Sequence, residues 1–246
     1  MIKHFISLIF FTLTLLADGT FYINKSKETE IENVKNNKIE KIEIVVGKSY
    51  YVNTNNISLS TSTNGESSVV FSNDILFKLN QNTKIQIDTF DHPIKNIENQ
   101  PETIIYAESE LQSSLLEGEL EVVVKNPNLI LGTMMTTIVP KSGKYFIKVD
   151  EKSVTVASIE GEIKLLDTFS KKEVTLKTGD IVVVVEAPKL TGRNGEVFRK
   201  QHLFNVRKME EDESKFFSST LNDTQKQNEN IKFVVIDKKV VGIKIN

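Results

Sequence analysis

The sequence contains two closely similar stretches, Leu116-Glu-Gly-Glu-Leu-Glu-Val122 and Ile159-Glu-Gly-Glu-Ile-Lys-Leu165. A looser third copy follows as Leu176-Lys-Thr-Gly-Asp-Ile-Val182. In each copy a glycine precedes a run in which apolar and polar residues alternate, a pattern typical of a turn that leads into a half-buried β-strand. The repetition predicts a scaffold rich in β-strands, whereas nothing comparable in the chain predicts chemistry.

From Ile42 to Pro188 the chain keeps one pattern. Short apolar or alternating runs are separated by turn residues at spacings of about eight to twelve residues, as in β-sandwiches, barrels and β-solenoids. Asn64-Gly65 is a strong tight-turn dipeptide, and residues 91–102, which include two prolines, are predicted as a loop. The run Ile181-Val-Val-Val-Val185 is apolar on both faces, so we expect a central strand that is covered on both sides.

The pattern changes past Pro188. Apolar residues then recur at roughly helical spacing, which predicts a helix from about residue 196 to residue 221. Two apolar runs follow at 231–236 and 240–245 and predict a closing hairpin. The predicted fold class is therefore mainly β, with short antiparallel strands stacked as a sandwich or β-solenoid, one C-terminal helix and a terminal hairpin.

The N-terminal part has a different character. Residues 1–17 combine a short positive start, a mostly apolar stretch and a small residue before Asp18, the layout of a secretory signal peptide whose apolar region is short for a membrane span. Both cleavage after Ala17 and retention as an uncleaved anchor fit this layout. Residues 18–41 are expected to form a loosely ordered polar lead-in, followed by a β domain over 42–188 and an extension with the helix and hairpin over 189–246.

The composition narrows the classes of function. The 246 residues include 31 basic and 33 acidic ones, for a formal net charge of −2, so no positive field favours nucleic acid as a partner. The lack of cysteine excludes disulfides, thiol nucleophiles, cysteine-bound metals and a lipidated N-terminal cysteine. We therefore expect an exported protein, periplasmic or at the cell surface, that is not a lipoprotein. It would meet the membrane only through the N-terminal segment, if that segment is not cleaved.

An ordered series of short motifs resembles FecR-like domains. The stretch Asn73-Asp-Ile-Leu-Phe-Lys-Leu-Asn-Gln-Asn-Thr-Lys-Ile85 is similar to their passage of polar turn, strand, polar residue, Ser/Thr and strand. Leu116-Glu-Gly-Glu-Leu120 resembles their first glycine-led strand, and Thr137-Ile-Val-Pro-Lys-Ser-Gly143 resembles their Thr-Pro-x-Gly passage with Val139 inserted. The remaining motifs follow in order as Phe146-Ile-Lys-Val149, Thr155-Val156, Glu160-Gly161 and Leu176-Lys-Thr-Gly179.

This resemblance covers residues 42–186 and implies an exported domain of stacked β-strands that is not an enzyme. In the best-known members the domain lies in the periplasm, takes a signal from an outer-membrane transporter and passes it to a sigma-factor regulator. Those regulators have a cytoplasmic helical region and a membrane span before the β domain, whereas here a signal-like segment and a polar stretch precede it. We therefore expect an envelope protein that carries the module rather than a direct regulator of a sigma factor.

Residues that could carry chemistry are few. His92 and His202 would both have to meet acidic groups to form a nucleophile or metal site. Asp88, Asp91 and His92 include the oxygen ligands that hard cations prefer, but their spacing matches no known ligand loop. The glutamates that flank glycines resemble the paired carboxylates of a glycosidase, although solvated charges beside turns explain them more simply; they are Glu117, Glu119, Glu160 and Glu162. No catalytic residue, cofactor or metal ligand is predicted.

The residues that best suggest a partner contact lie within the predicted helix. They are the acidic run Glu210, Glu211, Asp212 and Glu213, followed by Phe216 and Phe217. The acidic run is either a docking face for a basic partner or an ordinary solvated helix face. The two phenylalanines are either an exposed binding patch or the anchor of the helix on the core.

Three functions follow from these observations as hypotheses. The favoured one is a non-enzymatic protein that acts through protein–protein contacts in the cell envelope, with signalling as its role. The alternative is a cell-wall or carbohydrate-binding, or structural, envelope module, against which the absence of tryptophan argues. An exported hydrolase would require His92 or His202 to converge with carboxylates in a cleft.

Overall fold

The computed structural model describes residues 14–35, 38–52, 57–95, 103–104, 109–187, 201–236 and 239–245. Within them the chain forms strands and one helix. The elements are β1 (Thr14–Lys35), β2 (Lys38–Ile42), β3 (Ser49–Val52), β4 (Ile57–Phe71), β5 (Ile75–Leu79), β6 (Lys84–Lys95), β7 (Thr103–Ile104), β8 (Glu110–Val124), β9 (Leu129–Gly132), β10 (Thr136–Pro140), β11 (Gly143–Asp150), β12 (Ser153–Glu160), β13 (Ile163–Asp167), β14 (Glu173–Leu176), β15 (Asp180–Glu186), β16 (His202–Lys208), α1 (Glu211–Asn228), β17 (Ile231–Ile236) and β18 (Lys239–Lys244).

Strands β1 to β16 form one hydrogen-bonded network that divides into two sheets. Sheet I has the order β3-β1-β4-β5-β8-β11-β12-β15-β16 and is antiparallel. Sheet II has the order β2-β1-β4-β6-β8-β9-β10-β13-β14 and is antiparallel except for the parallel β8–β9 pair. Strands β1, β4 and β8 belong to both sheets, and β4, β5, β8 and β6 close into a ring. The predicted fold class, mainly β with one helix and a terminal hairpin, is confirmed.

One apolar core joins the inward faces of the two sheets. Along β8 the alternation is regular, because Leu120, Val122 and Val124 enter this core while Glu121 and Val123 point to the outer face of sheet I. In β15, Val182 and Val184 enter the core, whereas Ile181 is buried on the outer face. The predicted cover on both sides is therefore present only at the start of β15, since Val183 and Val185 are partly exposed and β15 lies next to the edge strand β16.

Strand β8 passes from sheet II to sheet I at Gly118. Residues before it pair with β6 and β9, and residues from it onward pair with β11 and β5. Its φ is +92°, and a Cβ atom there would lie 2.4 Å from the Cα atom of Thr83, so the crossing requires glycine. The sequence predicts turns at Gly118 and at Asn64-Gly65, and this is wrong: β8 and β4 each run through these residues. Gly161 does separate β12 from β13.

Helix α1 and the β17–β18 hairpin cover part of the outer face of sheet I. Leu221 of α1, with no exposed surface, and Ile231 of β17 are buried in one apolar cluster. Their partners on the sheet are Tyr22, Val70, Leu76 and Val123. The Thr20 hydroxyl of β1 donates to the Val240 carbonyl of β18 over 2.9 Å, so the first strand holds the last one.

The helix is shorter than the sequence predicts, and it begins later. Residues 202–208 form strand β16, which pairs with β15, and α1 begins at Glu211; residues 188–200 lie outside the described part. The apolar residues of β16 imitate helical spacing, but the free edge of β15 offers backbone hydrogen bonds that favour a strand. Phe217 and Leu221, the true apolar stripe of α1, are one helical turn apart on the face toward the sheet.

The N-terminal residues also differ from expectation. Residues 18–35 lie in β1 and residues 38–41 in β2, so they form strands rather than a loosely ordered lead-in. The predicted loop at 91–102 is wrong over its first part, because β6 continues to Lys95 and pairs there with residues 14–18 of β1. Of the predicted signal peptide, residues 1–13 lie outside the described part, and its cleavage position falls within β1.

None of the helical structure found in the described residues has the length and apolar character needed to span a membrane.

Candidate functional site

A cleft of about 880 Å³ opens where β8 crosses from sheet II to sheet I, and it extends over the outer face of sheet I next to the part that α1 covers. Three large apolar side chains line it although much of their surface is exposed. They are Leu116 of β8 (47% exposed), Met134 of the β9–β10 loop (46%) and Phe216 of α1 (62%). Exposed apolar side chains that share one cleft are typical of interaction sites, so this cleft is the candidate functional site.

An ion pair lies on the floor of the cleft, beside the part of the sheet that α1 covers. The Lys78 Nζ atom lies 2.8 Å from Glu121 Oε1, and the Glu121 side chain is 4% exposed. The second carboxylate oxygen accepts a hydrogen bond of 3.0 Å from the hydroxyl of Thr224 on α1. The glutamate therefore connects the charged floor of the cleft to the helix above it.

A second lysine is held on the floor of the cleft by two acids. The Lys148 Nζ atom lies 3.0 Å from Glu119 Oε1 and 3.8 Å from Asp150 Oδ1. The hydrogen bond to Glu119 is the main cause of a raised pKa for Lys148, which stays charged. Both ends of this group are partly exposed, so it defines charge at the cleft rather than adding much stability.

The lining of the cleft carries more negative than positive charge. Its acidic residues are Glu66, Glu117, Glu119, Glu121, Asp150 and Glu151, and its basic residues are Lys27, Lys78 and Lys148. Within the described part of the chain, Glu117 and Glu151 form no ion pair, and both are exposed. The exposed Lys27 also forms no ion pair among the described residues, so Glu117 and Glu151 leave the cleft with a net acidic surface beside its apolar side chains.

The predicted acidic run occupies the start of α1. Glu213 makes two hydrogen bonds of 2.7 Å to the guanidinium of Arg207 and accepts a third, of 2.9 Å, from the backbone N–H of Glu210. These contacts, with the Arg207 bonds first, lower the pKa of Glu213 to about 2. Glu210, Glu211 and Asp212 are exposed. Acids in this first turn also suit the helix dipole, so the run serves α1 whether or not it binds a partner.

The two neighbouring phenylalanines have different surroundings. The Phe217 ring packs on Phe146 of sheet I at 4.6 Å between centroids, with Met209 and Ile181 in the same cluster. Phe216 projects into the cleft. Each of the two interpretations of this pair therefore holds for one residue. Phe217 anchors the helix on the sheet, and Phe216 forms exposed apolar surface.

His202 pairs with Asp167 in the interior. The Nδ1 atom of His202 lies 3.1 Å from Asp167 Oδ2, with the two side chains 2% and 0% exposed. Burial favours a raised pKa for Asp167, but backbone N–H donors at Ser170, Phe169 and His202 outweigh it and the pKa is lowered. This pair joins the start of β16 to the end of β13 and does not line the cleft.

Asp88, another acidic candidate, is hydrogen-bonded to polar neighbours. Asp88 accepts hydrogen bonds of 2.7 Å from Gln86 Nε2 and from Ser114 Oγ, while the side chains of Asp91 and His92 lie outside the described part. Among the described residues no group of three or more His, Cys, Asp or Glu is arranged to hold a metal ion.

Three of the four glutamates that flank glycines pair with lysines, Glu119 with Lys148 as described above. Glu160 lies 3.2 Å from Lys144 Nζ, and Glu162 lies 2.7 Å from Lys141 Nζ. The Lys141 hydrogen bond lowers the pKa of Glu162, whereas the general acid of a glycosidase needs a raised one. Of the four, Glu117 and Glu119 line the cleft.

Sequence reasoning misses the cleft because its apolar residues come from distant parts of the chain. Met134 carries no local signal apart from its place after Gly132, and Leu116 belongs to the first glycine-containing stretch. The crossing of β8 at Gly118 places its sheet II part, with Leu116, beside the part that pairs with β5 and β11. The β9–β10 loop adds Met134, and the docking of α1 adds Phe216.

Comparison with known proteins gives a weak structural likeness. No protein-family model and no curated protein matches the chain. Two crystal structures of a "putative anti-sigma factor" from Parabacteroides distasonis ATCC 8503, at 1.65 and 2.50 Å resolution, are similar with a TM-score of 0.40 and 12% identity. They cover 77% and 78% of this chain and 99% and 100% of their own. A likeness at this level carries no argument about function.

Proposed function

We propose that this protein is a non-enzymatic, exported module of FecR-like type that acts by binding another protein in the cell envelope, with signalling as its role. The observation that supports the proposal is the gathering of Leu116, Met134 and Phe216 in one charged cleft. Protein interfaces are commonly built as an apolar centre inside a polar rim.

The physical reason is the apolar surface that these side chains leave in water. Fully burying a side chain of this size stabilises a complex by about 1.5–3 kcal/mol, so a partner that covers the exposed halves of three gains a few kcal/mol. Phe216 is the most exposed of the three and is an aromatic side chain, the type that contributes strongly to interface centres. We assign it the role of central contact.

Photo-crosslinking in intact cells tests the proposal. A photoreactive amino acid in place of Phe216 is expected to form one discrete crosslinked product with a protein, which mass spectrometry identifies. The matched control places the same amino acid at Ile39 of β2, which is 65% exposed and does not line the cleft. Equal products from both positions, or none from Phe216, would contradict binding at the cleft.

Export is the second part of the proposal and has its own test. Cell fractionation is expected to recover the protein outside the cytoplasm, and N-terminal sequencing is expected to begin at Asp18. Cleavage there removes residues 14–17, which pair with residues 92–95 of β6, and leaves that part of β6 without this neighbour. A cytoplasmic full-length protein would overturn this part alone.

The carbohydrate alternative rests on a specific group of side chains. Asn64, Asn80, Gln81 and Asn82 line the same cleft as Phe216, and carboxamides beside an aromatic ring can hydrogen-bond and stack on a sugar. Co-sedimentation with purified cell-wall polymer tests it. Retention that Phe216→Ala abolishes would favour the alternative over a protein partner.

A further inference from the structure

We infer that the partner reaches the cleft with a short basic segment that also carries a large apolar side chain. This inference rests on the proposed function and specifies the chemistry of the partner. It comes from the charge of the lining, the places of its apolar groups and the size of the cleft.

The charge of the lining selects for a cationic partner. Two of the three lysines in the cleft are neutralised locally, Lys78 by Glu121 and Lys148 by Glu119. Glu117 and Glu151 form no ion pair within the described residues, and they extend from different elements, β8 and the β11–β12 turn. A ligand with lysine or arginine meets two available carboxylates, whereas an acidic ligand meets repulsion from both.

The apolar groups supply the binding energy that exposed charges lack. Ion pairs at exposed positions contribute about 0–1 kcal/mol each and are screened by salt. Leu116 and Glu117 are both exposed and both line the cleft, so its lining presents apolar and acidic surface together. The ligand must therefore place an apolar group and a positive group close together, as a peptide segment does.

The volume limits the size of the bound portion. About 880 Å³ lies within the range of roughly 300–1,000 Å³ that is usual for ligand pockets. A segment of a few consecutive residues fits this volume.

The test uses a fluorescent eight-residue peptide that alternates lysine with phenylalanine and leucine, with fluorescence anisotropy on the full-length protein. We expect saturable binding that weakens at least tenfold in the double variant Glu117→Lys, Glu151→Lys. The matched control is Glu40→Lys, Asp223→Lys, which changes net charge equally at exposed residues outside the cleft. The control is expected to weaken binding less than threefold, and circular dichroism establishes that all variants are folded.

Two comparison peptides complete the test. Replacement of the lysines by glutamate, or of the apolar residues by serine, is expected to abolish binding. Equal weakening by the cleft variant and the control variant would overturn the inference, because it would mean binding to overall negative charge. Tighter binding of the glutamate peptide, or none of the lysine peptide, would overturn it as well.

Failure of this inference is separable from failure of the proposed function. If Phe216 crosslinks to one protein but the lysine peptide does not bind, the interaction stands and the basic chemistry of the partner is wrong. If the cleft yields neither crosslink nor peptide binding, both are wrong.

Discussion

The outer face of sheet I has two halves, one covered by α1 and the β17–β18 hairpin and one open to solvent as a cleft. In the covered half, Tyr22, Val70, Leu76 and Val123 are buried under Leu221 of α1 and Ile231 of β17. In the open half, Lys78, Glu119 and Lys148 form the floor of the cleft. Both halves are built on the same strands, β5 and β8, so strand geometry alone does not decide which half is covered.

The difference shows that the chain closes only the surface that its own elements can bury. Burying an apolar surface under a helix and a hairpin offsets the conformational entropy that these elements lose when they become ordered. A charged surface under the same cover would lose its hydration, which is unfavourable. The open half therefore remains available, and the apolar side chains that line its cleft are surface that a partner can bury. Five predictions test this contrast.

The largest effect is expected at the bend that leads β8 into both halves. Gly118→Ala should lower the free energy of unfolding by about 3–5 kcal/mol, because the added Cβ meets the Thr83 backbone and the positive φ is itself unfavourable. Gly179→Ala is the matched control, with φ +85° but nothing within 4 Å of the new Cβ, and should cost about 1–2 kcal/mol. Urea denaturation measures both. Equal costs would show that the crossing tolerates a side chain.

Opening the covered half is expected to be nearly as costly. Leu221→Ala removes a fully buried side chain between α1 and the sheet and should destabilise the protein by about 3 kcal/mol. Lys215→Ala on the exposed side of the same helix should change stability by less than about 0.5 kcal/mol. A Leu221→Ala protein as stable as the wild type in urea would mean that the helix does not close this half.

The ion pair between Lys78 and Glu121 lies at the border between the two halves, and its contribution to stability can be tested by substitution. Glu121→Ala leaves Lys78 without its partner and removes the contact to Thr224, whose hydroxyl keeps only the Thr220 carbonyl as its acceptor. The substitution should cost about 2–3 kcal/mol because the Glu121 side chain is nearly buried. Glu121→Leu together with Lys78→Met should recover much of this loss, since apolar replacements need no pairing. Chemical denaturation gives both values, and a double variant as unstable as Glu121→Ala would contradict this account of the border.

Phe216 and Phe217 are adjacent in α1, but Phe216 lines the open cleft and Phe217 packs on the sheet. Phe217→Ala should lower stability by about 2 kcal/mol because its ring packs on Phe146, less than for a fully buried ring. Phe216→Ala should leave stability within about 0.5 kcal/mol of the wild type and remove binding at the cleft. Thermal unfolding and the crosslinking assay measure the two effects. The reverse pattern would exchange the roles of the two residues.

The smallest effect is a pH dependence at the start of α1. The pKa of Glu213 falls from an ordinary value of 4.5 to about 2 in the folded state, so its charge stabilises the fold fully above pH 4.5 and loses this effect as the pH falls toward 2. The stability difference between wild type and Glu213→Gln should therefore shrink between pH 5 and pH 2. Denaturant unfolding across this range measures it, and a difference that does not change with pH would refute the coupling to Arg207.

Local pattern was enough for the type of most strands but not for their continuity. The alternation after Gly161 predicts β13, and the two C-terminal runs predict the hairpin. Gly118 carries the same local signal as Gly161, yet β8 continues through it, because a glycine can serve a bend between sheets as well as a turn. Which of these occurs depends on partners such as β6 and β5, which are far along the chain.

The candidate site was predictable only in part, for the same reason. Phe216 and the acidic run are visible as a local cluster, but their division into an exposed ring, a packed ring and a capping carboxylate depends on Phe146 and Arg207. The polar residues of β1 also read as an unstructured stretch, since a strand between β3 and β4 needs few apolar side chains of its own once its neighbours supply the hydrogen bonds.

The hydrogen bond from Thr20 to Val240 has a consequence for how the molecule is made. It ties the first strand to the last hairpin, so the covered half cannot close until nearly the whole chain has been synthesised. Until then Tyr22, Val70 and Leu76 form an apolar surface of the kind that chaperones bind. Because so many of its contacts join distant residues, the protein is expected to fold slowly and to reach its final form only after release from the ribosome.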